Sequence, residues 1–223
     1  METFVHIIDD DASFRTALGR LVETFGFCVA CYESGDDFLA RLPQSEAGCV
    51  LLDLRMPGLS GSELQEKLAL MAPLLPIVFL TGQGTVAAGV QAMKAGADDF
   101  LEKPVSSKIL REAIERALAQ NEKRRAGHDQ LQALQARVSN LTPREIQVFD
   151  LVVRGKRNKQ VAYDLHTSER TIKAHRHSIM EKLSVTSLAE MVSIAERLGR
   201  VEPTRAADNS LSGASPKANI QQT

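Results

Sequence analysis

Short apolar runs alternate with stretches of helical apolar spacing along the first 120 residues of the chain. The runs predict five strands, at residues 4–8, 28–32, 49–52, 76–80 and 99–101. After each run, apolar residues recur every three or four positions, which is typical of helices with one buried face. Five strand–helix units in succession favour a parallel sheet covered by helices on both faces.

The predicted helices of this region follow the strands one by one. They extend over residues 12–25, 34–42, 60–70, 85–95 and 107–119. Ser60 and Glu63 have the spacing of a capping box at the start of the third helix. Together the elements predict an α/β flavodoxin-like (βα)5 domain over residues 1–120, with strand order 2-1-3-4-5.

The next segment, residues 121–139, is predicted to be a helical linker. Its apolar residues, with the one that follows it, recur at intervals of three and four, at Leu131, Leu134, Val138 and Leu141. A dimeric coiled coil is the alternative, but sustained heptads are lacking and the charged residues 122–125 interrupt the pattern. The pattern leaves open whether this helix continues from the last helix of the first domain.

Residues 140–200 predict a small all-α domain of four helices. Thr142 caps the first, ahead of Pro143 in the first turn, and the other three extend over 158–165, 169–183 and 187–198. The second and third are joined by a tight turn at 166–168, which is the arrangement of a helix-turn-helix. Residues 201–223 are rich in Ala, Ser, Asn and Gln without periodicity, which predicts a disordered tail.

Charge is divided unevenly between the two predicted domains. Residues 1–120 contain 10 Lys or Arg and 17 Asp or Glu, whereas residues 121–200 contain 15 and 9. A basic second domain indicates a polyanionic partner. Neither a signal peptide nor an apolar run of membrane-spanning length is visible, so we expect a cytoplasmic protein.

Cys28 and Cys31 have C-x-x-C spacing, which could indicate a metal or redox pair. Residues three apart in a strand point to opposite faces of the sheet, however, and no second Cys or His pair lies nearby. We therefore expect these cysteines to be structural thiols.

Polar side chains gather at the carboxyl ends of the predicted strands. Asp53 follows the buried third strand, and the others are Asp9, Asp10, Thr81 and Lys103. Each has a simpler structural alternative, such as a helix cap for an aspartate, turn chemistry for Thr81 or a solvated surface for Lys103. Because the carboxyl ends of parallel strands share one edge, where such sheets bind ligands, their joint placement favours a functional site.

The residue types at this edge suit phosphoryl transfer. Neighbouring carboxylates repel each other unless a cation lies among them, and Mg²⁺ binds one or two carboxylates together with phosphate oxygens. Asp53 is predicted to attack phosphorus and form an acyl phosphate. Lys103 would offer a compact positive charge and Thr81 a hydroxyl to the phosphoryl oxygens.

These residues resemble the receiver domain of a two-component response regulator. The matching motifs are Asp9-Asp10, Asp53-Leu54-Arg55-Met56-Pro57, Thr81-Gly82 and Lys103-Pro104. The resemblance implies that a sensor histidine kinase phosphorylates Asp53. It also implies Mg²⁺ ligation by Asp10, Asp53 and the backbone carbonyl of Arg55, with Asp9 assisting. Thr81 and Phe100 would be the switch pair, Lys103 would bind phosphate, and the bond before Pro104 would be cis.

The second domain resembles the LuxR-type DNA-binding domain in the motifs beginning at Asn158, Thr171 and Met180. The resemblance places residues 169–183 in the DNA major groove. It implies base contacts by Lys173, Ala174 and His177, phosphate contacts by Thr171, Arg176 and Lys182, and a dimer face of Met191, Val192 and Ala195. His166 stands in the turn where such domains often carry glycine, and histidine adopts left-handed geometry less readily.

The combined expectation is a response-regulator transcription factor of the FixJ/NarL type. It would dimerise when phosphorylated and bind double-stranded DNA, with RNA polymerase as a further partner. A phosphatase of the haloacid-dehalogenase kind is disfavoured, because Arg55 stands where that chemistry needs a second aspartate, so a turnover enzyme is not expected. A small-molecule sensor is disfavoured by the absence of Trp, and a phosphate-independent regulator by the complete acidic set.

Overall fold

A computed structural model describes residues 3–43, 47–82 and 85–201. The chain divides into two compact units, residues 1–130 and 131–223. The predicted tail lies outside the described residues except for Val201. None of the helices in these described segments is long and apolar enough to cross a membrane.

The first unit contains a five-stranded parallel sheet with the order β2-β1-β3-β4-β5, which confirms the predicted flavodoxin-like fold. The strands are β1 (Phe4–Ile8), β2 (Cys28–Tyr32), β3 (Gly48–Leu52), β4 (Ile77–Thr81) and β5 (Asp99–Glu102). All residues of β3 and β4 are buried, because helices cover both faces of these central strands.

The helices of the first unit are α1 (Ala12–Thr24), α2 (Gly35–Ala40), α3 (Gly61–Met71), α4 (Val86–Lys94) and α5 (Ser107–Ser139). Capping side chains explain where several of them begin. Asp11 caps α1, Ser34 caps α2, and Ser60 with Glu63 forms the predicted capping box of α3.

The helix α5 continues without a break through the predicted linker to Ser139. Within the first unit, Asn121 fixes it to the amino-terminal edge of the sheet. Its buried side chain accepts a hydrogen bond from Gly48 N (3.0 Å) and donates one to Leu74 O (2.8 Å). Arg124 pairs with Asp98 at 2.8 Å. Asn121 and Arg124 therefore fix this part of α5 to the first unit, whereas residues 122 and 123 are exposed.

The second unit contains α6 (Pro143–Val153), α7 (Asn158–Asp164), α8 (Glu169–Leu183) and α9 (Leu188–Arg197). Their core includes Val148, Phe149 and Ile179, all fully buried. Val138 and Leu141 are buried in the same core and Leu134 packs against it. The apolar stripe of the predicted linker thus belongs in large part to the core of this unit.

Candidate functional site

Asp53 lies at the carboxyl end of β3 and is 9% exposed. Its backbone N–H donates to Ile8 O at 2.9 Å, which ties the residue to the end of β1. Gly61, the first residue of α3, approaches so closely that an added Cβ would lie 2.2 Å from Asp53 O. Any larger residue at this position would displace the aspartate.

Lys103 is fixed by its backbone and points its ammonium group into the acidic site. Its N–H donates to Thr81 O at 2.8 Å, and the peptide bond to Pro104 is cis. Lys103 Nζ lies 2.6 Å from Asp9 Oδ2 and 3.5 Å from Asp53 Oδ1. The structure therefore brings together three of the predicted residues from the ends of β1, β3 and β5.

The Asp53 carboxylate is buried, and its hydrogen bonds and ion pair replace only part of the contact with water that burial removes. Its Oδ1 atom has no hydrogen-bond partner among the described residues, although the Lys103 ammonium is within ion-pair distance. Burial raises the pKa of Asp53 above its ordinary value, and the Lys103 charge opposes that rise. Native structures rarely leave a buried oxygen unpaired, so such an atom is a candidate for binding a cation or for reaction.

The other aspartates of the site differ in accessibility. Asp9 is buried, with Oδ2 on Lys103 and Oδ1 accepting from Asp11 N at 2.9 Å. Asp10 is exposed. Within the described segments, no three His, Cys, Asp or Glu side chains converge as a metal-binding group. The predicted Mg²⁺ ligands are the carboxylates of Asp10 and Asp53 and the backbone carbonyl of Arg55, with Asp9 assisting, and an Asp53 oxygen without a hydrogen-bond partner among the described residues fits a divalent cation.

Thr81 and Phe100 lie on the neighbouring strands β4 and β5, and Phe100 pairs with Phe79, two residues before Thr81. Thr81 is buried at the end of β4, opposite Glu102 in the register of β5. Phe100 is half-buried, and its ring centroid lies 6.1 Å from that of Phe79. Arg55 is exposed just beyond Asp53.

The cysteines form no metal or disulfide pair among the described residues. Cys28 and Cys31 are exposed free thiols on the edge strand β2, and Cys49 is a buried free thiol in β3. Burial raises the pKa of Cys49 to about 12, so this thiol is protonated and unreactive in the folded chain.

In the second unit, α7 and α8 form a helix-turn-helix. His166 in the turn has φ = 50°, the left-handed geometry that glycine adopts more readily. Ser168 caps α8 by accepting from Thr171 N at 3.1 Å. The turn keeps its hydrogen bonds, including Thr167 N to Ala162 O at 2.9 Å.

The predicted base-contacting residues share an open face of α8. Lys173, Ala174 and His177 are exposed, as is Thr171. Arg170, one position before Thr171, is exposed on the same helix and was not predicted. Its signal in the sequence was only its charge within the basic half of the chain.

Two of the residues predicted to contact DNA phosphates, Arg176 and Lys182, already bind side chains of their own unit. Arg176 Nη1 donates to Asn158 Oδ1 at 2.7 Å. Lys182 Nζ lies 2.6 Å from Oε2 of the buried Glu145, so much of its charge is compensated there. Glu145, the third residue of the capping box of α6, also accepts from Ser178 Oγ at 2.7 Å and thereby holds α8 in place.

The predicted dimer face on α9 needs correction. Met191 and Ala195 are fully buried in the core of their own unit, and Val192 packs against that core. The resemblance to LuxR-type domains implied a dimer face here, but Met191 and Ala195 pack inside their own unit, where α9 contacts α6. The exposed large apolar residue of α9 is Leu188, which is 40% exposed.

Two family models match the chain in the order that the folds suggest. The response regulator receiver domain matches residues 5–115, and the bacterial regulatory proteins of the luxR family match residues 139–195. Each match covers the region in which the corresponding site was described.

Similar proteins extend over nearly the whole chain. The response regulator protein TmoT of Ectopseudomonas mendocina is 41% identical, covering 88% of this chain and 90% of that protein. The transcriptional regulatory protein FixJ of Bradyrhizobium diazoefficiens is 40% identical, covering 87% and 95%. Among solved structures, the response regulator StyR is 43% identical with a TM-score of 0.75, covering 88% of this chain and 100% of StyR.

These matches define a class of protein in which a receiver domain precedes a LuxR-type helix-turn-helix. The chain belongs to the family of response-regulator transcription factors that includes FixJ and TmoT.

Proposed function

We propose that this response regulator is a transcription factor switched by phosphorylation of Asp53. The observation that carries the proposal is the buried Asp53 carboxylate, whose Oδ1 has no hydrogen-bond partner among the described residues and lies 3.5 Å from the Lys103 ammonium group. An oxygen of Asp53 attacks phosphorus on the phosphohistidine of a sensor kinase. The new O–P bond replaces the P–N bond, and the kinase histidine leaves.

Mg²⁺ would be held by Asp10, Asp53 and the Arg55 carbonyl, with Asp9 assisting, and when bound it neutralises phosphoryl charge. Lys103 leaves its shorter contact with Asp9 to bind a phosphoryl oxygen, and the Thr81 hydroxyl binds another. Phe100 moves with Thr81 as the switch pair, and the two lie on the paired strands β4 and β5.

The surface that responds to this switch is α4 with the adjoining β5. Three large apolar residues of α4 are exposed, Val86 (87%), Val90 (47%) and Met93 (46%). Clustered apolar exposure favours a protein–protein contact. We infer that phosphorylation makes this surface competent for homodimerisation, and that the dimer presents two recognition helices to half-sites about one helical turn of DNA apart.

In the DNA complex, α8 enters the major groove. Lys173, Ala174 and His177 contact base edges, while Thr171 and Arg176 contact phosphates. Arg176 uses one guanidinium donor on Asn158 and retains others for phosphate. The engaged Lys182 is a weaker candidate than the unpredicted Arg170, which is exposed beside Thr171.

The protein would act in the cytoplasm, with a histidine kinase, DNA and RNA polymerase as partners. Arg55 at the second position after Asp53 provides no acid or base for rapid turnover. That observation favours a switch over a phosphatase.

The central test compares DNA binding by wild type and Asp53→Asn, each with and without acetyl phosphate and Mg²⁺. Only phosphorylated wild type should shift to tight binding of a two-half-site DNA fragment in gel-shift assays. Equal affinity in all four samples would contradict the proposal.

The DNA interface is tested by two replacements in α8. Lys173→Ala should reduce discrimination between cognate and mutated sites, by about 1–3 kcal/mol at the contacted base pair. Arg176→Ala should weaken binding to all sequences and flatten its salt dependence, because it removes a phosphate contact. Fluorescence anisotropy over a salt series separates the two effects.

A further inference from the structure

The aromatic ring of Phe14 covers the ammonium group of Lys103. Lys103 Nζ lies 4.0 Å from the ring centroid, close enough for a cation–π contact. With Asp9 Oδ2 at 2.6 Å and Asp53 Oδ1 at 3.5 Å, the ring completes a three-sided enclosure around the charge. The Lys103 side chain is only 18% exposed as a result.

The position of the ring is fixed by the first turn of α1. The Asp11 carboxylate accepts hydrogen bonds from Ser13 N at 2.8 Å and from Phe14 N at 3.0 Å. Arg15 Nη1 donates to Asp9 O at 2.5 Å, which ties the same turn to the acidic loop. The aromatic residue is thus held against the site by two polar anchors that do not depend on its own packing.

Core packing alone does not account for an aromatic residue here. Phe14 is only partly buried and lies at the margin of the cluster formed by Leu18, Val22 and their neighbours. A leucine would fill that margin as well. A ring adds what leucine lacks, an electron-rich face for a cation that is largely removed from water, where this attraction is strongest.

We propose that Phe14 is a positioning residue for phosphoryl transfer to Asp53. Its ring holds the Lys103 ammonium at the Asp9–Asp53 pair and restrains it from moving into solvent, so the charge is in place when a phosphoryl group arrives. This inference rests on the proposed function, because it assigns a role in the reaction at the same aspartate. It concerns the ring face and not merely side-chain volume.

The test replaces Phe14 by phenylalanines with one, two and three ring fluorines. Fluorination weakens the negative ring face stepwise while preserving shape, so the rate of phosphorylation by acetyl phosphate at saturating Mg²⁺ should fall with each fluorine. The expected total decrease is about twofold to fivefold, and Phe14→Leu should match the most fluorinated variant. Phe14→Tyr should retain the wild-type rate.

Phe25 provides a matched control on the chain. Its ring lies 5.8 Å from the Arg111 guanidinium carbon, and the Arg111 side chain is 54% exposed. The same fluorinated series at Phe25 should leave the phosphorylation rate unchanged, because this pair is solvated and is not part of the site.

A second measurement separates this inference from the proposed function. The Lys103 methylene protons should show an upfield ring-current shift in NMR spectra that disappears in Phe14→Leu. A wild-type protein that takes up no phosphoryl group would sink the proposed function whatever this shift shows. The positioning role alone would be overturned if the wild type is phosphorylated but the fluorinated variants react at the same rate as it does. It would also be overturned if the wild type shows no ring-current shift.

Discussion

A buried carboxylate lies beside a lysine in both units, Asp53 beside Lys103 and Glu145 beside Lys182, and the two carboxylates differ in how fully they are hydrogen-bonded. In the receiver unit, one oxygen of Asp53 has no hydrogen-bond partner within the described part of the chain, and burial raises the pKa of this carboxyl. In the DNA-binding unit, Glu145 accepts from Lys182, Ser178 and the backbone of Thr142. The hydrogen bond from Lys182 is the main cause that lowers the pKa of Glu145 to about 2.

The difference teaches how to distinguish a reactive group from a structural one. A carboxylate with every lone pair occupied is stabilised as an anion and is a poor nucleophile, because attack would break its hydrogen bonds. A carboxylate that remains incompletely paired retains electron density for an incoming cation or phosphorus. Burial and a neighbouring lysine are common to both sites, so neither feature by itself identifies function.

The largest expected effect on stability comes from replacing Glu145, the carboxylate that accepts several hydrogen bonds. Glu145→Gln should lower the free energy of unfolding of the DNA-binding unit by about 1–3 kcal/mol, because it leaves the Lys182 charge without its partner. Urea denaturation followed through NMR signals of each unit would show the loss in residues 131–201 and none in the receiver unit.

Glu63 supplies the matched control for this change. It occupies the same third position of a capping box, in α3, but it is exposed. Glu63→Gln should therefore change stability far less than Glu145→Gln. Similar losses in both variants would show that helix capping, and not the buried pair with Lys182, explains the effect.

Acidification should affect the two sites in opposite directions. The folded-state pKa of Glu145 is about 2, below its ordinary 4.5, so its stabilisation is fully present above pH 4.5 and is lost as the pH falls toward 2. The pKa of Asp53 is raised, so the cost of its charge is present at neutral pH and disappears as that carboxyl protonates. Denaturation midpoints of each unit across this range would test both signs, and Glu145→Gln should flatten the slope of its own unit.

The smallest effect on stability is expected from replacing Asp53. Asp53→Asn should leave the thermal midpoint of the receiver unit unchanged or raise it by a few degrees, since it removes a charge that burial disfavours. Differential scanning calorimetry would measure the shift. A clear loss of stability in this variant would mean that Asp53 is structural, and the comparison with Glu145 would no longer hold.

The sequence predicted the architecture well, because periodicity determines which elements form. The strand order was correct, α8 was placed with its bounds, and the left-handed His166 was anticipated from a missing glycine. Asp9, Asp53 and Lys103 lie together as the sequence indicated, since the carboxyl ends of parallel strands meet at one edge of the sheet.

The sequence did not show which way an apolar face points. Met191 and Ala195 have the spacing of an interface, yet the same spacing serves the core of their own unit. The contact of Phe14 with Lys103 was not predicted either, because it joins residues 89 positions apart in the printed sequence. The roles of Glu145 and Asn121 likewise depend on partners distant in sequence.

The rate at which the buried thiol of Cys49 is labelled measures how often the sheet opens. Cys49 lies in β3, four residues before Asp53, whereas the other two thiols are exposed on an edge strand. A thiol reagent should modify two sites quickly and the third only at the rate at which the central strands separate. Because the chain has no tryptophan, labelling of Cys49 reports how firmly the strand that precedes Asp53 is held, without any added probe in the core.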